Sequence, residues 1–450
     1  MTALSSLYTR QMIERLGHQD HPKKTIVSLN AGLWHFSFTH TPIYAPDTRP
    51  IQLDVLIEIT TSASTICLYP TQDHKVTHHI EDSLIEYADK TNLPYLNYAQ
   101  PWPLEVIRVD KPWGAEVWYT GIEQRGICTA SGIPLPWLLD CFAEDQVGSA
   151  ANTSPLLLKI LDPLPNPELG DLYFELHDQK IEVYVVTYVD PHVWPNGVGK
   201  IRYGFNQQVR NTFPSDEQFK TSYLSAVQAY EQCRNEIDKL LESNRSERQI
   251  EADAPISPEL MTTWLDRVPT DLKEQEQHLR QKMEGFTHFR DIKVGDVIKV
   301  EPYFPHSLQH GVRVIEFQTP SYERYILSFG QKVLTQSHWD TEVALNQAIL
   351  SMPPESDFVE EAAETGVKIE IIADFSAFTA RRITLDANTR YELPASCDYS
   401  LLICADGKLQ LGEDDLSQED ARLIPVSANS TARTCTSICP CVFIVATPKS

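Results

Sequence analysis

Positive charge and long apolar runs are both scarce in this 450-residue chain. Its 38 lysines and arginines face 62 aspartates and glutamates, which leaves a formal net charge of −24. Such a field repels nucleic-acid backbones and anionic membrane surfaces, so we expect no nucleic-acid partner and no membrane partner. No apolar run approaches the roughly 20 residues that a membrane-spanning helix needs.

Disulfide and secretion signals are also missing. The nine cysteines are odd in number and scattered, which does not fit a disulfide framework. Cys435, Cys439 and Cys441 cluster, but no second Cys or His pair lies near them to complete a zinc site. The chain opens without the basic-then-apolar pattern of a signal peptide. We therefore expect a cytoplasmic globular protein, and its oligomeric state is left open.

The period of the apolar pattern changes along the chain and predicts four parts. Residues 1–104 form an N-terminal β-rich region with no assigned role. Residues 105–212 and 286–345 form one metal-binding β-barrel, which is interrupted by helices over residues 213–285. Residues 346–450 form a second barrel. The predicted fold class is therefore mostly β, with two barrels and an α-helical insertion.

Local signals support two of these parts. Ser215 followed by Gln218 has the form of a capping box, and apolar residues at helical spacing follow it. Ser257 before Pro258 predicts the start of a second helix. In the last part, Asp406-Gly407 lies between two apolar runs, which predicts a tight β-hairpin.

One stretch combines carboxylates and an imidazole at strand spacing, Glu175-Leu-His177-Asp-Gln-Lys-Ile-Glu182. Side chains two residues apart in a strand point to the same face, so Glu175 and His177 share a face. A tight turn at Asp178-Gln179 would bring Glu182 back opposite them on a returning strand. A closed antiparallel barrel would place that face in its interior.

A second imidazole follows more than a hundred residues later. The segment from Gly295 reads as a strand and then reaches His306 after Pro302 and Pro305. No histidine follows His338, so a histidine-ligated site cannot lie in the last part. Two oxygens and two nitrogens suit Zn²⁺, Mn²⁺ or Fe²⁺ with a position left for substrate. The predicted metal ligands are Glu175, His177, Glu182 and His306.

Each of these residues taken singly has an ordinary alternative, as a solvent-facing strand carboxylate or a satisfied histidine. The combination of all four, with the flanking glycines and proline, carries the metal hypothesis. No cofactor-binding residue is assigned. Gly197-Val-Gly199-Lys200 is too short and poorly placed for a phosphate loop.

The order Gly-x4-Glu-x-His-x4-Glu, then Gly-x6-Pro-x3-His, resembles the two cupin motifs, with Glu where the first His usually stands. In more detail the chain resembles type I mannose-6-phosphate isomerases. Lys111-Pro-Trp113-Gly114 stands in place of their Trp-Gly motif, and Leu157-Leu-Lys159-Ile-Leu-Asp162 matches their Leu-Leu-Lys strand. Glu316-Phe-Gln318 followed by Arg324 matches their Glu-x-Gln and arginine. The resemblance covers about residues 105 to 448.

This resemblance implies cupin-type jelly-roll barrels, a divalent metal with zinc as the expected ion, and a metal-free C-terminal barrel. It also implies aldose–ketose isomerisation of a hexose or hexose phosphate, so a small-molecule sugar or sugar phosphate is the expected partner. For that chemistry Lys180 is the expected proton shuttle and Arg324 the group that holds an oxyanion or a phosphate. Their ordinary alternatives are a hairpin-tip charge for Lys180 and an ion-pair residue for Arg324.

The chain departs from that family in several places, among them the family's Gln ligand, which is Glu175 here, and the altered segment after Gln318. Only Asp178-Gln179 separates His177 from Lys180, where the family has a longer segment that carries part of the substrate pocket. The family's phosphate-contacting serine region has no counterpart here, and the first 100 residues have no family equivalent. Two alternatives therefore stay open: a non-catalytic sugar-binding or regulatory cupin, and a cupin oxidoreductase with a redox-active metal.

Overall fold

Strands make up 42% of the structure and helices 22%, which confirms the mostly β class. Several of the sheets are antiparallel. Among the residues described, no helix is both long and apolar enough to cross a membrane. The computed structural model describes residues 27–30, 32–41, 49–60, 64–75, 80–123, 126–142, 155–167, 169–250, 256–321, 323–328, 339–353, 358–361, 365–426, 428 and 430–449.

The chain packs into two compact units. The first consists of Met1–Ile107, Trp118–Leu158 and Phe358–Ser450, and the second of Arg108–Val117 and Lys159–Asp357. The four-part division made from the sequence stays a prediction. The metal-ligand candidates all belong to the second unit.

In the first unit, the N-terminal strands form a five-stranded sheet in chain order, covered by one helix. Leu84 and Ala88 of this helix pack with Leu56 and Cys67 of the sheet. All four strand pairs of this sheet are antiparallel. The elements are β1 (Val27–Asn30), β2 (Leu33–His40), β3 (Ile51–Ile59), β4 (Ser64–Pro70), α1 (Leu84–Thr91) and β5 (Tyr95–Asn97).

A run of short strands follows, of which only β7 and β8 take part in the second unit's sheets. The elements are β6 (Trp102–Glu105), β7 (Ile107–Lys111), β8 (Gly114–Trp118), β9 (Ile122–Glu123), β10 (Gly126–Ile127), β11 (Thr129–Ala130), β12 (Ile133–Pro134) and α2 (Leu135–Cys141).

The rest of the second unit contains nine strands and five helices among the residues described. The strands are β13 (Leu157–Pro163), β14 (Phe174–Leu176), β15 (Glu182–Val189), β16 (Gly199–Phe205), β17 (Thr287–Ile292), β18 (Val297–Val300), β19 (His306–Leu308), β20 (Val312–Gln318) and β21 (Tyr325–Ser328). The helices are α3 (Gln207–Arg210), α4 (Asp216–Glu247), α5 (Pro258–Asp266), α6 (Thr270–Glu284) and α7 (Thr341–Gln347).

These strands form two sheets that enclose the candidate site. One sheet has the order β18-β15-β20-β13-β8-β7 and the other β17-β16-β19-β14-β21. Side chains from both sheets share one apolar core, which includes Tyr184 and Ile298 from the first sheet and Tyr203 and Leu308 from the second. This two-sheet arrangement is the barrel expected from the sequence.

The helical insertion begins where the capping signal predicted. Ser215 is the N-cap of α4, and its Oγ accepts a hydrogen bond from the amide of Gln218 at 3.3 Å. Ser257 caps α5 in the same way. Phe219 and Tyr223 of α4 are fully buried against Phe205 of β16, so the helices cover the outer face of the smaller sheet.

The C-terminal strands belong to the first unit and lie in two sheets. The larger has the order β12-β11-β6-β29-β26-β31-β24-β23-β22, and the smaller β25-β30-β27-β28. The strands are β22 (Val359–Glu361), β23 (Val367–Asp374), β24 (Phe378–Leu385), β25 (Arg390–Glu392), β26 (Ser400–Asp406), β27 (Lys408–Leu411), β28 (Asp414–Ser417), β29 (Ala421–Ile424), β30 (Thr434–Ser437) and β31 (Cys441–Pro448).

The predicted hairpin at Asp406-Gly407 is wrong. The strands on either side of it, β26 and β27, pair with other strands in different sheets. The turn therefore crosses from one sheet to the other. Gly407 has φ +79°, and a Cβ at this position would lie 2.5 Å from the carbonyl oxygen of Pro440. The glycine is needed for the close approach of backbone rather than for a two-residue hairpin.

Replacing Gly407 with alanine should destabilise the C-terminal barrel by about 2 kcal/mol or more, because left-handed strain and a backbone clash add together. Gly412→Ala is the matched control, since Gly412 has φ +61° but its nearest neighbour to a new Cβ lies at 3.3 Å. It should cost only about 1 kcal/mol. Urea unfolding followed by circular dichroism measures both. Equal losses of stability in the two variants would contradict the close approach of the Pro440 backbone to Gly407.

Candidate metal centre

The alternation of β14 decides which way the candidate ligands point. Phe174 and Leu176 are fully buried in the cluster that α4 builds on the outer face of the sheet. Glu175, between them, therefore points to the opposite face, into the barrel. In the pairing of β14 with β19, Glu175 lies directly opposite His306. His306 thus enters from a neighbouring strand, as the sequence predicted.

Glu182 reaches the same place by another route than predicted. β14 and β15 do not pair as a returning hairpin, because they belong to different sheets. The chain bends at Asp178-Gln179 and crosses to the facing sheet, where Glu182 opens β15. Its carboxylate oxygens lie 3.7 Å from His177 Nε2 and 3.1 Å from His306 Nε2. The predicted proximity is present, although the predicted hairpin is wrong.

Three of the four candidate ligands converge most closely. Glu175, His177 and His306 each offer one ligand atom, and these atoms all lie within 4.8 Å of one another. His177 Nε2 is 3.9 Å from Glu175 Oε1. Both imidazoles are buried, while Glu175 is partly accessible.

Hydrogen bonds to backbone carbonyls orient both imidazole rings. His177 Nδ1 lies 2.8 Å from the carbonyl oxygen of Glu323, and His306 Nδ1 lies 3.2 Å from that of Phe304. A carbonyl oxygen only accepts, so each Nδ1 carries the proton. Both Nε2 atoms then face the carboxylates. This is the arrangement by which histidines present a lone pair to a metal.

Buried acceptors without donors mark the centre. Among the described residues, His177 Nε2 and Glu175 Oε2 have no hydrogen-bond partner, although both atoms are buried. A buried acceptor without a donor costs about 1–3 kcal/mol. Two imidazole nitrogens and carboxylate oxygens are the donor set that Zn²⁺ and similar ions take. The residues present therefore fit a divalent cation.

Glu182 is an ionised carboxylate at a buried position. Burial alone would raise its pKa, but the Lys180 ammonium leads the effects that outweigh burial and hold that pKa well below its usual value. Lys180 Nζ lies 2.7 Å from Glu182 Oε1, and the hydroxyl of Tyr184 donates to Oε2 at 2.8 Å. Burial, and then the Glu182 charge, raises the pKa of Tyr184 well above its usual range, so the phenol stays a donor.

The structure brings both predicted catalytic side chains to the centre. Lys180 is buried, so its alternative as a hairpin-tip charge does not hold. Arg324 Nη1 lies 3.9 Å from Glu175 Oε2, and its guanidinium lies over the ring of Tyr173, 4.8 Å from the ring centroid. The side chain is 29% exposed, which leaves it partly accessible from solvent.

A buried lysine–glutamate pair next to Glu182, formed by Lys159 and Glu316, was not singled out from the sequence as part of the site. Lys159 Nζ lies 3.3 Å from Glu316 Oε2 and 3.8 Å from Glu116 Oε1. Burial opposes the charge on Lys159, yet Glu316 and Glu116 outweigh it and raise the pKa of this lysine. Charged residues inside otherwise apolar strands were the available signal, as in Leu157-Leu-Lys159-Ile-Leu.

Comparison with known proteins bears on the fold. No family model matches the chain, and no curated protein sequence matches it. Mannose 6-phosphate isomerase from Bacillus subtilis superposes with a TM-score of 0.52 at 14% identity, over 77% of this chain and 99% of that one. The chain has the fold of mannose-6-phosphate isomerases.

Further solved structures agree with this likeness. A zinc-bound mannose 6-phosphate isomerase gives a TM-score of 0.53 at 12% identity, over 78% of this chain and all of that one. A variant of phosphomannose isomerase from Salmonella typhimurium gives 0.53 at 13% identity over the same shares. The predicted cupin-type fold and the predicted resemblance are thereby confirmed. Identity at this level shows the fold alone, so residue roles are argued from the site itself.

The folded state should lose stability as the pH falls, because His177 is buried as a neutral ring. Burial, then the Lys180 charge, lowers the pKa of His177 well below its ordinary 6.5, against the opposing pull of Glu182. Below pH 6.5 the unfolded chain binds a proton that the folded chain does not, so stability is lost as pH falls. For each unit by which the pH falls below 6.5, the free energy of unfolding of chelator-treated wild type should drop by up to about 1.4 kcal/mol more than that of His177→Gln.

Denaturant unfolding between pH 5 and 7.5 measures this difference. His278→Gln is the control, because His278 is an exposed histidine on α6. The free energy of unfolding of His278→Gln should change with pH as that of wild type does. A His177→Gln curve parallel to wild type would show that the folded ring binds a proton as readily as the unfolded one.

Proposed function

We propose that this protein is a metal-dependent aldose–ketose isomerase that acts on a hexose or a hexose phosphate. One observation carries the proposal: Glu175, His177 and His306 converge within 4.8 Å beside a buried lysine. Proteins with the same fold are named mannose 6-phosphate isomerases, and one of them is zinc-bound. Those names support both the reaction class and the choice of ion.

Four side chains would hold the ion. Glu175, His177 and His306 supply the closest donors, and Glu182 contributes from the facing sheet. Zinc is the ion we propose, since two imidazoles with carboxylate oxygens form a common catalytic donor set. When bound, a divalent ion polarises the carbonyl and hydroxyl oxygens of a sugar.

Lys180 is the residue we assign to proton transfer. Isomerisation moves a proton from the carbon beside the carbonyl to the former carbonyl carbon, and the hydroxyl proton of the first carbon passes to the carbonyl oxygen, so the composition of the sugar does not change. Lys180 Nζ would hold that proton in transit. The side chain lies within the barrel, where water is largely excluded, and its bond to Glu182 at 2.7 Å fixes its position.

Arg324 is the residue we assign to charge stabilisation. Negative charge develops on the sugar oxygens as the proton leaves, and a guanidinium stabilises such charge with paired N–H donors. Arg324 is partly exposed and lies next to Glu175. A phosphate on the substrate would meet the same guanidinium.

A non-catalytic sugar-binding protein is the second candidate, and one observation favours it. Lys180 Nζ already forms an ion pair with Glu182, so it must leave this partner before it can act on a sugar. An oxidoreductase would differ from an isomerase in its ion rather than in its ligands. Metal content and turnover therefore separate the three candidates. A cytoplasmic location stays a prediction.

Elemental mass spectrometry of untagged protein tests the centre. Wild type should hold near-stoichiometric zinc, and a Glu182→Ala/His306→Ala double variant should hold none, because it lacks one donor from each sheet. Iron together with oxygen uptake would favour the oxidoreductase. No metal after reconstitution would leave sugar binding as the better proposal.

Assays with hexoses and hexose phosphates test the two catalytic assignments. Lys180→Met and Arg324→Met should each lower kcat by about 100-fold or more, because each removes a group needed in the transition state. Metal content should not change. Lys293→Met is the control, since Lys293 is an exposed lysine of the same unit, and it should retain full activity. Turnover that persists in both variants would remove these assignments.

A further inference from the structure

The bend between His177 and Lys180 is short, and its backbone needs external support. It carries the chain from β14 in one sheet to β15 in the other, with no strand pairing between them. The amides of Gln179 and Lys180 therefore lack a sheet partner. Whatever accepts their hydrogen bonds also sets the place of two residues of the proposed site.

Glu323 supplies that acceptor. Its Oε1 accepts hydrogen bonds from the amide of Gln179 at 2.7 Å and from that of Lys180 at 3.0 Å. Its backbone carbonyl accepts from His177 Nδ1 at 2.8 Å. Ser321 Oγ donates to the other carboxylate oxygen, Oε2. One residue thus contacts the bend through its side chain and a metal-ligand candidate through its backbone.

We propose that Glu323 is the positioning residue of this centre. Its carboxylate fixes the bend that carries Lys180. The same side-chain hydrogen bonds hold Glu323 in place, so that its backbone carbonyl stays against the His177 ring. That carbonyl selects the tautomer whose Nε2 faces Glu175 and Glu182. The consequence for metal affinity rests on the function proposed above, whereas the consequence for the tautomer does not.

The opposite side of His177 is fixed independently, which isolates the role of Glu323. The amide of Tyr303 donates to the carbonyl oxygen of His177 at 2.6 Å, and Tyr303 has φ +63°, an uncommon backbone conformation for a non-glycine residue. The backbone of His177 is therefore anchored without Glu323. What Glu323 adds is the orientation and tautomer of the ring, and the place of the bend.

Arg324 follows Glu323 directly, so the same anchor bears on the second catalytic candidate. Its guanidinium lies over Tyr173 and close to Glu175. Release of Glu323 from the bend should let the backbone of Arg324 move as well. Loss of the Glu323 side chain should therefore lower kcat more than it raises KM, since charge stabilisation by Arg324 acts in the transition state.

Zinc titration of the metal-free protein provides the first test. Glu323→Ala should weaken zinc affinity by about 10-fold or more, which is typical when a partner that orients a metal ligand is lost. Glu323→Gln should stay close to wild type, because its amide oxygen can still accept from both N–H groups. Ser321→Ala removes only the hydrogen bond to Glu323 Oε2, so it should weaken zinc affinity less than Glu323→Ala does.

Nitrogen-15 spectra of the histidine rings, recorded without metal, provide the second test. His177 should show the Nδ1–H tautomer in wild type and in Glu323→Gln, and a mixture of tautomers in Glu323→Ala. His177→Gln assigns the signal by its disappearance. A purely structural role of Glu323 would change stability and leave this tautomer signal alone.

Asp296→Ala is the matched control. Asp296 also accepts a backbone amide at a turn of the same unit, that of Lys293 at 2.9 Å, and it lies next to β18. Its loss should affect stability without changing zinc affinity or the His177 tautomer.

The two tests separate the inference from the proposed function. If Glu323→Ala leaves both zinc affinity and tautomer as in wild type, Glu323 is not a positioning residue. If wild type binds no zinc but Glu323→Ala still changes the tautomer, the positioning role stands and the metal-dependent function fails. If Glu323→Ala does not fold, Ser321→Ala decides, and an unchanged tautomer and affinity there overturn the inference.

Discussion

The ionised carboxylate of Glu182 is the constraint on which the centre depends. A buried charge is tolerated only when neighbouring groups compensate it, and here the Lys180 ammonium and the Tyr184 hydroxyl do so. The imidazoles of His177 and His306 lie against the same carboxylate, so the groups around it come from both sheets of the barrel. The need to surround one carboxylate thus draws residues distant in sequence to one place. Removing any one partner leaves the others with uncompensated charge or lone pairs.

The division of each strand into an outer and an inner face makes this arrangement possible. On β14, Phe174 and Leu176 are buried against the helical insertion, which leaves Glu175 to face the barrel interior. The insertion therefore contributes to the site without supplying a ligand. It also fixes which face each residue of β14 takes, since a shift by one residue would exchange phenylalanine for carboxylate in the apolar layer.

Two turns show where the sequence misled and why. Asp178-Gln179 and Asp406-Gly407 both lie between strand-forming runs, which favours a hairpin by local rules. In both places the chain crosses between two facing sheets. Local propensity reports that the chain turns, but the partner of each strand is chosen by which sheet buries its apolar face. That choice depends on residues far away along the chain.

By itself, the sequence determined the mostly β class, the capped helices and the residue types of the candidate site, because periodicity and capping are local properties. It also predicted that His306 would join Glu175, which their register pairing bears out. Only the tertiary structure decided that Glu182 arrives from the facing sheet and that Lys159 is buried beside Glu316. It alone decided that Glu323 holds the bend. Each of these is a contact between segments whose separation in the chain leaves no local pattern.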